Sequence, residues 1–287
     1  MKAMCFKNSF ETSAVIALLL FTASIAQAAL NFSDNFESYS TDPTGQSGGT
    51  GDWTTAWTQG LQNSGGSYLN GDSKIDGTKT YGLYGNGGSS GTSRNRGFTA
   101  TTSPFTLTFS FRADYNVTSD DGDNSYERRI AFTLRNGNST DHFLNQRLSF
   151  FFAEGNSSFQ WYDGADHSTS LIFSQGAIYD VSVTLDPSTR AYSFTATQRG
   201  GGSASSSGNW TLGANGESLD SLALLMRGPA GGGNDAFFDS IEAVPEPVNV
   251  ALAIFGAVLV PVGLLRILKA CKLKHVKSFQ QWRKNAD

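Results

Sequence analysis

Apolar and polar residues alternate through several short stretches of this chain. The clearest stretch runs from Phe105 to Phe111, where three phenylalanines and a leucine alternate with threonine and serine. A period of two with aromatic side chains predicts a strand that buries one face and exposes the other. The same pattern predicts further strands at 127–134, 148–152, 159–161, 181–185, 192–196, 221–227 and 236–243.

Turn signals separate the predicted strands. Asp186-Pro187 begins a turn between two alternating arms, and residues 154–158 separate two others. Asp76-Gly77 indicates a hairpin, because Asp-Gly suits tight hairpin turns. Two polar loops are also expected, one at 85–97 with Arg94 and Arg96 facing solvent, and one at 200–208.

No stretch between residues 29 and 243 has the period and end caps of a helix. Roughly ten to thirteen short strands punctuated by turns predict an all-β domain, folded as an antiparallel β-sandwich or jelly roll. An immunoglobulin-like sandwich is the alternative, although 215 residues would require two such domains.

Residues 1–28 have the pattern of a secretory signal peptide. Lys2 and Lys7 precede a short apolar segment, and Ala26-Gln27-Ala28 is a small-x-small cleavage site. We therefore expect signal peptidase to release a mature chain that begins at Ala29, after export through the inner membrane.

Residues 248–265 contain no charged side chain. A helix of this length spans roughly 27 Å, close to the hydrocarbon core of a bilayer, so a transmembrane helix is predicted. The tail, residues 266–287, begins with a basic cluster that should stay cytoplasmic and leave the β domain outside. Its members are Arg266, Lys269, Lys272 and Lys274.

Within residues 244–247, the triplet Pro245-Glu246-Pro247 precedes the apolar segment. Triplet, apolar segment and basic cluster in this order resemble the PEP-CTERM sorting signal of exported bacterial proteins. The resemblance implies recognition by a membrane-embedded, exosortase-like enzyme, and a role in exopolysaccharide and biofilm formation. Residues 275–287 extend beyond the family pattern, so a plain membrane anchor is the alternative.

The β domain itself carries a more diffuse likeness. It begins with Asn35-Phe36-Glu37-Ser38-Tyr39 and closes with Phe237-Phe238-Asp239-Ser240-Ile241. With the alternating strands between them, these segments resemble the concanavalin A-like lectin/glucanase jelly roll. The resemblance implies a domain that binds glycans or acts on polysaccharides.

The charge of the β domain argues against one class of partner, and its cysteine content argues against disulfide bonds. Residues 29–243 contain 12 lysines and arginines against 22 aspartates and glutamates, a net charge of −10. This balance argues against nucleic acid, because phosphate binding needs clustered basic residues. The segment has no cysteine, since Cys5 and Cys271 lie outside it, so disulfides are not expected there.

Catalytic candidates are sparse in the sequence. Jelly-roll glucanases carry Glu-x-Asp-x-x-Glu on one strand, and the chain lacks that motif and a Gly-x-Ser-x-Gly elbow. His142 and His167 are expected in solvated loops. We predict a non-catalytic protein. The alternative is a polysaccharide hydrolase or lyase with carboxylates from separate strands, such as Glu127 and Glu154.

Two ligand hypotheses complete the sequence-based picture. Asp120, Asp121 and Asp123 share one loop, and clustered carboxylates suit calcium, the alternative being a solvated turn. Tryptophans in or beside turns are candidates for glycan binding, the alternative being core packing. These are Trp53, Trp57 and Trp161. We therefore expect a membrane-anchored, surface or extracellular-matrix protein that binds glycan, or a structural protein without a small ligand.

Overall fold

Two antiparallel sheets pack face to face in the computed structural model of this protein. The structure describes residues 30–62, 65–85, 91–119, 128–137, 145–211, 218–228 and 234–246. Residues Leu30–Glu246 form one compact unit. The all-β, antiparallel prediction is thus confirmed for the described part of the chain, in which every regular element is a strand.

Strands are numbered here in chain order. In the described residues the first sheet consists of β1 Phe32–Asp34, β2 Thr50–Gly51, β4 Gly65–Asn70, β5 Thr80–Gly85, β7 Phe105–Ala113, β12 Ile178–Asp186, β13 Ala191–Gln198, β14 Ser203–Asn209 and β16 Asn234–Pro245. The second sheet consists of β3 Thr58–Gln62, β6 Gly91–Thr101, β8 Arg128–Arg135, β9 Gln146–Ala153, β10 Asn156–Tyr162, β11 Asp166–Ile172 and β15 Leu219–Arg227.

Neighbouring strands are often distant in sequence. The first sheet has the order β14-β13-β12-β7-β16-β1-β2, with β5 also paired to β16 and β4 to β5. The second has the order β11-β10-β9-β8-β15-β6-β3. The last strand, β16, pairs along one side with β7 and along the other with β5 and then β1.

The core lies between the inner faces of the two sheets and is rich in phenylalanine. Phe109 of β7 stacks on Phe132 of β8 with ring centroids 3.8 Å apart and an angle of 10° between the planes. Both side chains are buried, as are the other alternating apolar residues of β7. The period-two pattern read from the sequence therefore marks the inner face of β7 correctly, whereas β8, β9 and β15 are buried on both faces.

Hydroxyl side chains cover part of the outer face of the first sheet. Cross-strand register aligns three rows over β7, β12, β13 and β14. The rows are Thr106-Thr184-Ser193-Ser207, Thr108-Ser182-Thr195-Ser205 and Ser110-Asp180-Thr197-Ser203. Short polar side chains on this face account for the sharp alternation in the sequence.

Several sequence-based boundaries were wrong. Residues 91–97 were expected in a loop but lie in β6, where Arg94 and Arg96 are 3% and 1% exposed. Residues 203–208 were also expected in a loop but form most of β14. The hairpin expected at Asp76-Gly77 exists as β4 and β5, but residues 71–79 connect these strands instead of a two-residue turn.

The predicted membrane elements lie outside the described residues. This applies to the signal peptide, the apolar segment 248–265 and the tail with Arg266, Lys269, Lys272 and Lys274. Within the described ranges, no helix is long and apolar enough to cross a bilayer.

Candidate functional site

A small polar cavity lies beside Trp53, where the edges of the two sheets meet. Its volume is about 200 Å³. The wall comes from the loop around β2, from the segment that leads into β3, and from β6. The lining residues are Ser47, Gly48, Gly49, Thr50, Gly51, Trp53, Thr54, Thr55, Ala56 and Arg96.

Arg96 on β6 is the charged group in this wall. Its Nη2 donates to the carbonyl of Gly48 at 2.5 Å, and its Nε donates to the carbonyl of Thr55 at 3.2 Å. Its Nη1 donates to the carboxylate of Asp34 and to the hydroxyl of Tyr39. Together these bonds engage all three nitrogens of the guanidinium and fix its position.

Asp34, at the end of β1, balances the charge of Arg96. Its Oδ2 accepts bonds from Tyr39 Oη at 2.7 Å and from Trp57 Nε1 at 3.0 Å, besides the bond from Arg96. Its Oδ1 accepts the backbone N–H of Phe36 at 3.0 Å. Burial raises the pKa of Tyr39, and the adjacent carboxylate of Asp34 raises it further. The Tyr39 hydroxyl therefore stays protonated and keeps donating to Asp34.

Trp53 is held in place by its neighbours. The Arg96 guanidinium lies 4.0 Å from the centre of the indole, and the Phe32 ring centroid lies 4.1 Å from it. The indole N–H donates to the carbonyl of Ser33 at 3.2 Å. Because these contacts fix the half-buried ring, it forms a rigid apolar wall of the cavity instead of a mobile loop residue.

Two glycines allow the loop to approach β1 closely. Gly49 and Gly51 have φ angles of +77° and +90°, which L side chains rarely adopt. A Cβ at Gly51 would lie 2.1 Å from the carbonyl oxygen of Asn31, and one at Gly49 would lie 2.5 Å from that of Ser33. Glycine at these positions thus sets the shape of the cavity floor.

The three predicted tryptophans occupy different environments. Trp53 borders the cavity, whereas Trp57 is fully buried and belongs to the core. The core alternative therefore describes Trp57, and its proposed contact with a glycan is not compatible with a 0% exposed side chain. Trp161 is partly buried and packs against the core.

Trp161 takes part in a polar network at the end of the β10–β11 hairpin. Its indole N–H donates to Tyr192 Oη at 2.7 Å, and that hydroxyl donates to Asp163 Oδ2 at 2.7 Å. His167 Nε2 lies 2.9 Å from Asp163 Oδ1, and its ring stacks on Trp161. His167 was expected in a solvated loop but lies on β11. The hydrogen bonds and the ring stacking fix the planes of the Trp161 and His167 rings.

The remaining catalytic and metal-binding candidates either form other contacts or lie outside the described residues. Five of them lie outside the described residues, namely Asp120, Asp121, Asp123, Glu127 and His142. Glu154 forms an ion pair with Arg129, at 2.5 Å between Oε2 and Nη2. In the ranges that the structure describes, no group of three or more His, Cys, Asp or Glu is placed to hold a metal ion.

Part of the predicted sorting triplet belongs to the sheet. Pro245 is the last residue of β16 and pairs with Phe105. The carboxylate of Glu246 accepts a bond from Thr106 Oγ1 at 2.5 Å. Pro247 lies outside the described residues. The closing strand, predicted to end at residue 243, therefore continues to Pro245.

The sequence did not identify the residues that build the cavity, apart from Trp53. The spacing of Arg94 and Arg96 places both on one face of a strand, but no apolar residue between Gly91 and Gly97 marks that strand. Asp34 ends the short strand β1, and its pairing with Arg96 spans 62 positions of sequence. Nothing local in the sequence indicates that contact.

Comparisons with known proteins return distant structural matches. No family model matches the chain, and no curated protein matches it. The catalytic domain of a family 131 glycoside hydrolase from Coprinopsis cinerea is 12% identical, with a TM-score of 0.49, covering 77% of this chain and 96% of that domain. Lectin I-B4 from Griffonia simplicifolia is 12% identical, with a TM-score of 0.48, covering 75% and 98%.

A third match is the globular domain of T. cruzi calreticulin, 11% identical with a TM-score of 0.45, covering 75% of this chain and 94% of that domain. At these sequence identities and TM-scores, the structural matches indicate neither a family nor a ligand for this chain.

Proposed function

We propose that this protein is an exported surface protein whose β-sandwich binds a neutral glycan in the cavity beside Trp53 without hydrolysing it. The single observation that carries the proposal is the cavity wall, in which a fixed indole, a buried guanidinium and backbone carbonyls surround a small polar space. Sugars present both hydroxyl groups and C–H faces, so they suit a wall of mixed polarity.

The electrostatics favour a neutral ligand. The positive charge of Arg96 is already paired with Asp34, and both side chains are 1% exposed or less. An anionic sugar would therefore gain little from Arg96, and a neutral ligand is expected. The volume of about 200 Å³ lies below the roughly 300–1,000 Å³ of pockets for drug-sized ligands, so the end of a glycan is the expected occupant.

The groups in the wall suit binding better than bond cleavage. Hydroxyl, indole, guanidinium and peptide groups keep their protonation state near neutral pH, whereas glycoside hydrolysis needs an acid and a base or nucleophile. Export, exosortase-like sorting and attachment to the cell surface extend the proposal, and they rest on the signal-peptide pattern and the PEP-CTERM-like tail of the sequence.

The test uses the full-length protein and a panel of neutral oligosaccharides built from glucose, galactose, mannose or xylose. We expect saturable binding to at least one of them by calorimetry. Trp53→Ala should weaken that binding by roughly tenfold or more, because it removes the apolar wall of the cavity. A protein that binds none of the panel, or a variant that binds as well as the parent, contradicts the proposal.

Two further variants make the test specific. Ala56→Leu fills the cavity from another part of its wall and should also abolish binding, while leaving Trp53 intact. Tyr84→Ala removes an exposed aromatic ring that does not line the cavity and should leave the affinity unchanged. Release of reducing ends from the same oligosaccharides would support the hydrolase alternative instead.

A further inference from the structure

Strand β14 forms one edge of the first sheet. Its residues, Ser203–Asn209, pair with β13 in an unbroken register, and no other strand of the described chain pairs with its opposite side. Exposed and half-buried residues alternate along its whole length. A row of backbone N–H and C=O groups therefore faces outward from an extended, seven-residue strand.

The usual devices that protect such an edge are missing from β14. Natural edge strands are blunted by lysines, prolines, bulges or short length. The β13–β14 register shows no bulge, and residues 200–210 contain no proline and no charged side chain. The outer side of β14 can therefore pair with another β-strand through backbone hydrogen bonds.

The small, uncharged side chains of β14 suit pairing with a second copy of the same strand. Residues 29–243 carry a net charge of −10, so two copies of the chain repel each other over most of their surface. The uncharged edge is a place where they can approach. Antiparallel pairing around Ser206 would set Ser205 opposite Ser207 and Ala204 opposite Gly208, which are small pairs without a clash.

A second observation concerns the other sheet at the same side of the sandwich. Strand β11, its edge strand, lies beside β14. Its Ile172 is 51% exposed, more than any other large apolar side chain among the described residues. An exposed isoleucine on the strand that flanks an unprotected edge is typical of association surfaces, because association there can bury apolar area.

From the edge strand β14 and the exposed Ile172 on the neighbouring strand β11, we infer that a second copy of this chain pairs with β14, in antiparallel orientation about a two-fold axis at Ser206. The pairing joins the first sheets of the two copies and their outer hydroxyl rows into one continuous surface. The interface is isologous, as most dimer interfaces are. It is also small, so dimer formation should depend on concentration.

Disulfide cross-linking tests this contact in the full-length protein. Cys5 and Cys271 are replaced by serine, Ser206→Cys is introduced, and diamide supplies the oxidant that takes up two electrons as two thiols join. Residues directly opposite in an antiparallel pair have Cα atoms roughly 4.5–5.5 Å apart, within the range that a disulfide spans. We expect a band of twice the monomer mass on a non-reducing gel.

Thr184→Cys in the same background is the matched control, because Thr184 is an exposed hydroxyl residue on β12, two strands from the edge. It should cross-link at least five-fold less. Adding Ser205→Lys and Ser207→Lys to the Ser206→Cys protein places positive charges opposite each other and should also lower cross-linking at least five-fold. Equal cross-linking at 184 and 206, no effect of the lysines, or a mixed disulfide with a different protein would overturn the inference.

Discussion

The buried carboxylates of Asp34 and Asp239 differ in the groups that form hydrogen bonds with them. Asp34 accepts bonds from Arg96, Tyr39, Trp57 and a backbone N–H, so its charge is compensated. Asp239, 1% exposed, accepts only the backbone N–H groups of Ser240 and Asp76, and no cation pairs with it among the described residues. The first carboxylate thus has a cationic partner, and the second has none among the described residues.

This difference predicts a dependence of stability on pH. Burial raises the pKa of Asp239 to about 7, and the nearby Asp76 and Glu37 act in the same direction. Because the folded pKa exceeds the unfolded value of about 4, the protonated group stabilises the fold at low pH. That contribution is lost as pH rises from about 4 through 7. Asp239→Asn should remove the loss and increase the free energy of unfolding at pH 8 by roughly 2 kcal/mol.

Urea unfolding of parent and variant at pH 5 and pH 8 measures the effect. The difference between the two proteins should be larger at pH 8 than at pH 5. Asp72→Asn, a change of the same kind at an exposed aspartate, should alter neither value. An Asp239→Asn protein that parallels the parent at both pH values would show that Asp239 titrates normally.

Residue-scale features of this kind were mostly beyond prediction from sequence. The burial of Phe109 and its alternating neighbours follows from local periodicity, and the structure confirms it. Arg96 has no such signal, because its burial depends on Asp34 and Tyr39 from a distant segment. Among the tryptophans, composition cannot distinguish Trp53 at a cavity from Trp57 in the core, since both occur in one loop.

At the scale of elements, the loop around β2 depends on its glycines. Gly45 and Gly51 both have positive φ, at +82° and +90°. A Cβ at Gly45 would meet nothing within 4 Å, whereas one at Gly51 would collide with the backbone of β1. The two positions thus separate the cost of the backbone conformation from the cost of a steric clash.

Alanine substitutions should therefore differ in effect. We expect Gly45→Ala to lower the free energy of unfolding by about 1 kcal/mol, the usual cost of positive φ. Gly51→Ala should lower it by about 3 kcal/mol, because β2 must also move away from β1. Denaturant unfolding at constant pH compares them, and equal effects would show that the clash is relieved without cost.

Elements with an apolar face were predictable, and elements without one were not. The alternation of apolar and polar residues predicts strands β7, β12 and β13. The turn that begins at Asp186-Pro187 joins β12 to β13, as expected. Residues 91–97 of β6 and the whole of β14 contain no large apolar residue, so the sequence indicated loops there. Tertiary pairing with β15 and β13 overrides those weak local preferences.

For the whole molecule, completion of the first sheet depends on its last strand. β16 connects β7 to β1 and β5, so removing it would divide the sheet. We expect residues 30–246, produced alone, to melt in one cooperative transition with the circular dichroism of a β protein. Residues 30–233 should show no such transition. A helical spectrum for the longer chain, or cooperative melting of the shorter one, would contradict this architecture.

The position of β16 also sets the order of events when the protein is made. Its N-terminal partner β1 emerges from the ribosome roughly 200 residues earlier and must wait, because Phe32 pairs with Ala243. Contacts this distant in sequence make folding slow and leave the chain open during synthesis. The first sheet therefore stays incomplete until almost all of the described chain has been synthesised.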